Sequence, residues 1–139
     1  MKDDRVYLKH ILRCVSRIEE YAVGGRDAFM TSPLIQDGVI RNLQTLAESS
    51  QRVDEGLKAS QPDVDWKGLA GFRNVLVHDY LGVDLDLVHR AVERDVPTLK
   101  TACRRCSRAL GTEHEREEPS EFKSAPQQSQ EWKHSAGVR

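Results

Sequence analysis

At 139 residues, with a formal charge of −1 and a pI near 6.5, the chain is expected to form one folded domain and is no generic nucleic-acid binder by net charge. Any RNA contact has to come from a local patch. No apolar run approaches the roughly 20 residues that span a bilayer. The start, Met1-Lys2-Asp3-Asp4-Arg5, is charged with no apolar stretch behind it, and three cysteines are an odd number. These features predict a cytoplasmic protein with no signal peptide, no membrane association and no disulfide framework.

The first helix is predicted from about Asp4 to Val23. Tyr7, Ile11, Cys14, Ile18 and Tyr21 form an apolar seam at four-three spacing, widened by Leu8, Val15 and Ala22. Gly24-Gly25 is expected to end it. Ser32 is suited to cap a second helix with Pro33 at its first position, where no amide hydrogen is needed. The stripe Ile35, Val39, Leu43, Leu46, Val53 and Leu57 carries that helix past six turns. Gly38 either weakens it or lets a neighbour approach. Gln44, Glu48, Ser49 and Arg52 are expected to face outward or toward a partner.

Ser60-Gln61-Pro62-Asp63 reads as a turn, and Asp63 or Asp65 as the cap of a third helix beginning near Trp66. Trp66, Leu69, Ala70, Leu76 and Val77 are its expected core residues, and Gly82 a stop. Asp84 caps a fourth helix whose stripe runs from Leu85 through Val88, Val92, Val96, Leu99, Cys103 and Cys106 to Leu110. Pro97 lies inside this pattern and is expected to kink it. From Gly111 onward the composition turns polar and charge-dense, with Phe122, Trp132 and Val138 showing no period. Such a tail cannot bury enough surface to offset its ordering entropy. The expected organisation is an all-α antiparallel bundle over 1–110 and a polar tail over 111–139 that is disordered or orders against a partner.

The chemistry concentrates in Arg73-Asn74-Val75-Leu76-Val77-His78-Asp79-Tyr80. Arg73 is a permanent cation able to grip a phosphate with two parallel hydrogen bonds. His78 can give and take a proton near neutral pH. The pair suits cleavage of a phosphodiester. The spacing by itself is common, and residues five apart sit roughly 140° apart on a regular helix. Either the helix ends near His78, or one of the two residues is structural, or the site draws on two chains.

Other constellations have plainer readings. Cys103-x2-Cys106 lacks a second pair at zinc-ligand spacing and fits core packing. His10, His89, His114 and His134 are scattered, with surface or packing roles as the default. Asp84-x-Asp86 fits a helix N-terminus. Arg104, Arg105 and Arg108 make a basic helix end, ordinarily a solvated face. Glu19, Glu20 and Tyr21 are candidates for lining a polar cleft. No Gly-rich phosphate loop is present, and no cofactor is expected.

Arg-x4-His-x-Tyr in a four-helix chain with an internal proline in the last helix resembles the HEPN superfamily. Within it, the chain resembles the HepT toxins of HepT–MntA toxin–antitoxin modules. The resemblance covers roughly residues 1–110, through "YLKHIL…IEEY", "RNVLVHDY" and "DVPTL". It implies a homodimeric four- or five-helix HEPN-type bundle with the motifs of both copies facing a shared cleft. It implies a metal-independent ribonuclease, either endonucleolytic or RNA-trimming, and the toxin of a type VII toxin–antitoxin system. Carried over by residue, Arg73 and His78 are the catalytic pair, and Asn74 a polar neighbour orienting the phosphate or the histidine. Tyr80 is the tyrosine to which an MntA-like nucleotidyltransferase antitoxin adds AMP, silencing the toxin. RNA, the antitoxin and a second copy are the implied partners; DNA is not. The competing reading is a non-catalytic helical subunit that binds or presents substrate for a nucleotidyltransferase, with Arg73, His78 and Tyr80 contacting nucleotide. A purely structural helical dimer ranks below both.

Overall fold

A computed structural model describes residues 3–111. Among them every regular element is helical, as the periodicity predicts. Helix α1 spans Asp4–Tyr21, α2 Gly25–Thr31, α3 Pro33–Gln51, α4 Glu55–Ala59, α5 Trp66–His78, α6 Leu85–Arg90 and α7 Val96–Leu110. Short 3-10 turns occupy Ala22–Gly24 and Tyr80–Gly82, and a π-helical stretch, Ala91–Asp95, joins α6 to α7. From 112 onward, the tail expected to be disordered lies outside the described residues. No helix among the described residues is long and apolar enough to cross a membrane.

Helices α3, α5 and α6 start where side-chain caps predict. Ser32 Oγ accepts from the Ile35 amide, Asp65 from Gly68 and Asp84 from Asp86 and Leu87. Each cap satisfies an amide that has no partner in the first turn. Of the two proposed caps for α5, Asp65 is the one used. The Trp66 indole then donates to the carbonyls of Lys58 and Gln61, locking the turn that precedes α5.

Helix α1 lies along α3, and α3 along α5. Leu8, Ile11, Val15 and Ile18 of α1 are fully buried, as are Val39, Leu43, Leu46 and Ala47 of α3. Each large one contributes about 1.5–3 kcal/mol by leaving water. The buried arc of α1 is shifted from the predicted seam: Tyr7 is only half-buried and Tyr21 is exposed. Tyr21 instead covers Gly38 of α3, where an added Cβ would meet its ring at 3.0 Å. The glycine thus admits a neighbouring ring rather than merely weakening α3. Polar ties supplement the core. His10 Nδ1 lies 2.8 Å from Ser49 Oγ, Lys100 pairs with Glu19 at 2.8 Å, and Arg26 of α2 pairs with Asp86 of α6.

Four expectations need correction. The first helix ends at Tyr21, two residues before Val23, and a further helix, α2, follows directly; Gly25, at φ +84°, makes the bend. The second helix does not run to Leu57. It ends at Gln51, and Val53 remains buried in the turn before α4. The third helix ends at His78, before Gly82. The fourth is not one helix kinked at Pro97. The Val96 amide bonds back to the Ala91 carbonyl, five residues away, so the chain widens into a π-helix just before the proline. That wider turn makes room for a ring that would otherwise crowd the carbonyl four residues earlier.

Candidate active site

Helix α5 carries Arg73 and Asn74 in its third turn and His78 as its last residue. Asp79 closes it with φ −124° and ψ 34°, its amide bonding to the Val75 carbonyl at 2.9 Å. The helix therefore ends at His78, the first of the three alternatives that the spacing left open. His78 is exposed, and Tyr80 opens the 3-10 turn that follows. Leu81, the next residue, is 90% exposed.

Arg73 is held from two sides. Its Nη2 donates to Glu48 Oε1 of α3 at 3.3 Å, and its Nη1 to Asn74 Oδ1 at 3.2 Å. The side chain is 29% exposed, yet Nε is sealed from solvent with no hydrogen-bond partner. The guanidinium thus points its Nη end outward. No hydrogen bond among the described residues joins Arg73 to His78.

Residues 11–106 match the family described as "Ribonuclease HepT-like", a span that includes Arg73, Asn74, His78 and Tyr80. The chain belongs to the HepT-like family. It is 32% identical over 96 residues to "Probable ribonuclease HepT" of Thermococcus cleftensis, covering 68% of this chain and 86% of that one. It is 31% identical over 100 residues to "Putative RNase MJ1380" of Methanocaldococcus jannaschii, covering 71% of this chain and 92% of that one. A third relative from the same organism, "Gamma-glutamylcyclotransferase and putative RNase MJ0434", is 37% identical over 100 residues; the match covers 71% of this chain but only 45% of the relative's length. No solved structure matches.

Two residues that hold α5 and Arg73 escaped the sequence reading. Glu48 pairs with Arg73, and Gln44, one turn earlier on α3, donates to the Leu76 carbonyl of α5 at 3.0 Å. Both were placed outward or toward a partner. The only signal was a polar i, i+4 pair beside an apolar stripe, which does not name the helix it meets. The remaining candidates settle elsewhere. Cys14, Cys103 and Cys106 are buried and free, and burial pushes the Cys103 thiol up to about 12. His89 is buried with its ring 5.5 Å from that of Phe29. Arg104 and Arg105 are exposed on α7, as a solvated face predicts. Glu19 is engaged with Lys100 and Tyr21 with Gly38, so neither lines a cleft with Glu20. Among the described residues no cluster of His, Cys, Asp or Glu is arranged to hold a metal ion.

Proposed function

We propose that this HepT-like chain is a metal-independent ribonuclease, the toxin of a type VII toxin–antitoxin pair, acting as a homodimer. The observation that carries the reading is the end of α5. A half-exposed guanidinium and an exposed imidazole stand within two turns, in a chain whose relatives are named as RNases. In RNA the 2′-hydroxyl attacks the adjacent phosphorus. His78 takes its proton, the new O2′–P bond forms, the P–O5′ bond breaks, and a proton is delivered to O5′. General acid–base catalysis of this kind contributes about 10²–10⁴-fold. Arg73 stabilises the charge that grows on the phosphoryl oxygens, and Asn74 helps to aim its guanidinium. The second copy's His78 is assigned the opposite proton-transfer role.

A dimer is supported by the unfinished packing of α5. Of its apolar residues only Leu76 is fully buried; Leu69 and Phe72 are half-buried and Val75 is 42% exposed. These three line a groove of about 420 Å³ running to Leu87, Ala91 and Leu99, with Asp63, Asp95 and Arg90 also on its wall. An apolar floor with both signs of charge beside it suits an isologous contact, in which one patch must complement itself.

Tyr80 is assigned as the AMP acceptor. AMP there would place an anionic phosphate and a purine two residues from His78, competing with RNA for Arg73.

The test is cleavage of RNA by the purified wild type and by His78→Ala in EDTA, with analysis of the product ends. The expected result is a 2′,3′-cyclic phosphate from the wild type, no cutting by a folded His78→Ala, and no cutting of DNA. Equal cleavage of a deoxy substrate would sink the mechanism. If neither protein cuts RNA and Tyr80 carries no AMP, the chain is instead a binding subunit for a nucleotidyltransferase.

A further inference from the structure

The geometry points to Glu48 as the residue that positions Arg73, and as a negative charge beside which an RNA phosphate must dock. The inference rests on the reading of Arg73 as the phosphate-binding cation. Three observations carry it.

The first is the way the guanidinium is used. It offers five N–H donors along its edges. The Nε–H is sealed from solvent and unpartnered, so a phosphate cannot approach along that edge. Access is left to the Nη end. There Asn74 Oδ1 stands on one side at 3.2 Å and Glu48 Oε1 on the other at 3.3 Å. The incoming phosphate is therefore aimed at a position that a carboxylate already contests.

The second is exposure. The Glu48 side chain is 53% exposed and that of Arg73 29%. Ion pairs so open to water add little to folding stability. The same openness leaves room beside the carboxylate for an anion. A half-exposed partner can hold the arginine through one Nη hydrogen and leave the others to RNA.

The third is that the distance is set by the fold. Gln44 lies one turn before Glu48 on α3 and bonds to the backbone of α5 at Leu76. This second link fixes the register of the two helices, so Glu48 is presented to Arg73 by a rigid element. Holding a reacting group in one geometry is worth more to rate than to affinity. Glu48 should therefore affect kcat through orientation and KM through charge, in separable ways.

The experiment compares wild type, Glu48→Gln and Glu48→Ala, each checked for folding by circular dichroism. Binding is measured by fluorescence anisotropy with an uncleavable 2′-O-methyl RNA, and cleavage by steady-state kinetics. Glutamine keeps the accepting oxygen and removes the charge. It is expected to bind the oligonucleotide about threefold more tightly or better, with kcat close to wild type. Alanine removes both; it should also bind more tightly, but lose about tenfold in kcat as the guanidinium loses its orientation. In an Arg73→Ala background the gain in binding should vanish, because the effect acts through that residue. Glu48→Gln binding no more tightly than wild type, or Glu48→Ala retaining full kcat, overturns the inference. If the wild type cuts RNA and the Glu48 variants match it, this inference alone fails. If the wild type, free of AMP on Tyr80, cuts nothing, the ribonuclease reading fails, and the oligonucleotide comparison still decides whether Glu48 opposes phosphate at Arg73.

Discussion

The side-chain amide of Gln44 donates to the backbone carbonyl of Leu76 at 3.0 Å, joining α3 to the last turn of α5 two residues before His78. Carbonyls in a last turn run out of helical amides, and a side chain from another helix supplies one here. Gln44→Ala is expected to lower unfolding free energy by about 1 kcal/mol, the net worth of one such bond. Urea denaturation would read this as a lower midpoint at unchanged slope. RNA cleavage should fall by more than the loss of folded protein explains, because the α5 terminus carries His78.

Tyr80→Phe separates the proposed chemistry from its control. Phenylalanine keeps the ring and removes the oxygen that would accept AMP. The variant is expected to cut RNA at the wild-type rate and to arrest growth even with the cognate nucleotidyltransferase present. Intact-mass analysis should show a gain of one AMP on the wild type and none on the variant. An antitoxin that still silences Tyr80→Phe catalytically would place the modification elsewhere.

The groove beside α5 makes the dimer testable. Val75→Asp puts a charge on a residue that is 42% exposed in the single chain. The cost to folding of one chain should stay under about 1 kcal/mol, as for most surface changes. Across an apolar contact the same charge is uncompensated and costs several kcal/mol. Light scattering after gel filtration should give a dimeric mass for the wild type and a monomeric one for the variant. A dimer that survives the substitution would move the interface off this face.

The cysteines predict an alkaline limit to stability. Burial, with Cys106 nearby, raises the Cys103 thiol from 9.0 to about 12. Burial also raises Cys14 and Cys106. The folded state thus keeps a proton that the unfolded chain releases near pH 9. The stabilisation is complete below pH 9 and is lost progressively as pH rises toward 12, reaching about 4 kcal/mol for Cys103 alone. Cys103→Ala should be less stable at pH 7, having lost packing, but should decline less steeply between pH 9 and 10.5. Parallel declines in the two proteins would mean that other groups govern the alkaline limb.

What could be read from the chain was local. Ser32, Asp65 and Asp84 announce helix starts because a cap bonds to amides two or three residues away. Arg73 and His78 were legible as a pair of chemical types, and the end of α5 at His78 was one of three options left open. Pro97 marked a disturbance correctly and its form wrongly. A missing amide hydrogen is visible in the sequence, but the choice between a kink and a π-helical turn depends on how α7 must lie to bury Val96 and Leu99.

The sequence by itself determined that the regular elements of the described residues are helical, their capped starts, the buried cysteines and the chemical character of the Arg73–Tyr80 stretch. Each follows from periodicity, side-chain chemistry or a bond spanning a turn. Only the tertiary structure decided that Glu48 meets Arg73, that Gln44 holds α5, that Tyr21 covers Gly38 and that Val75 is left facing water. These pairings join residues 17 or more positions apart. They depend on the angle and register at which α1, α3 and α5 pack, which no local pattern encodes.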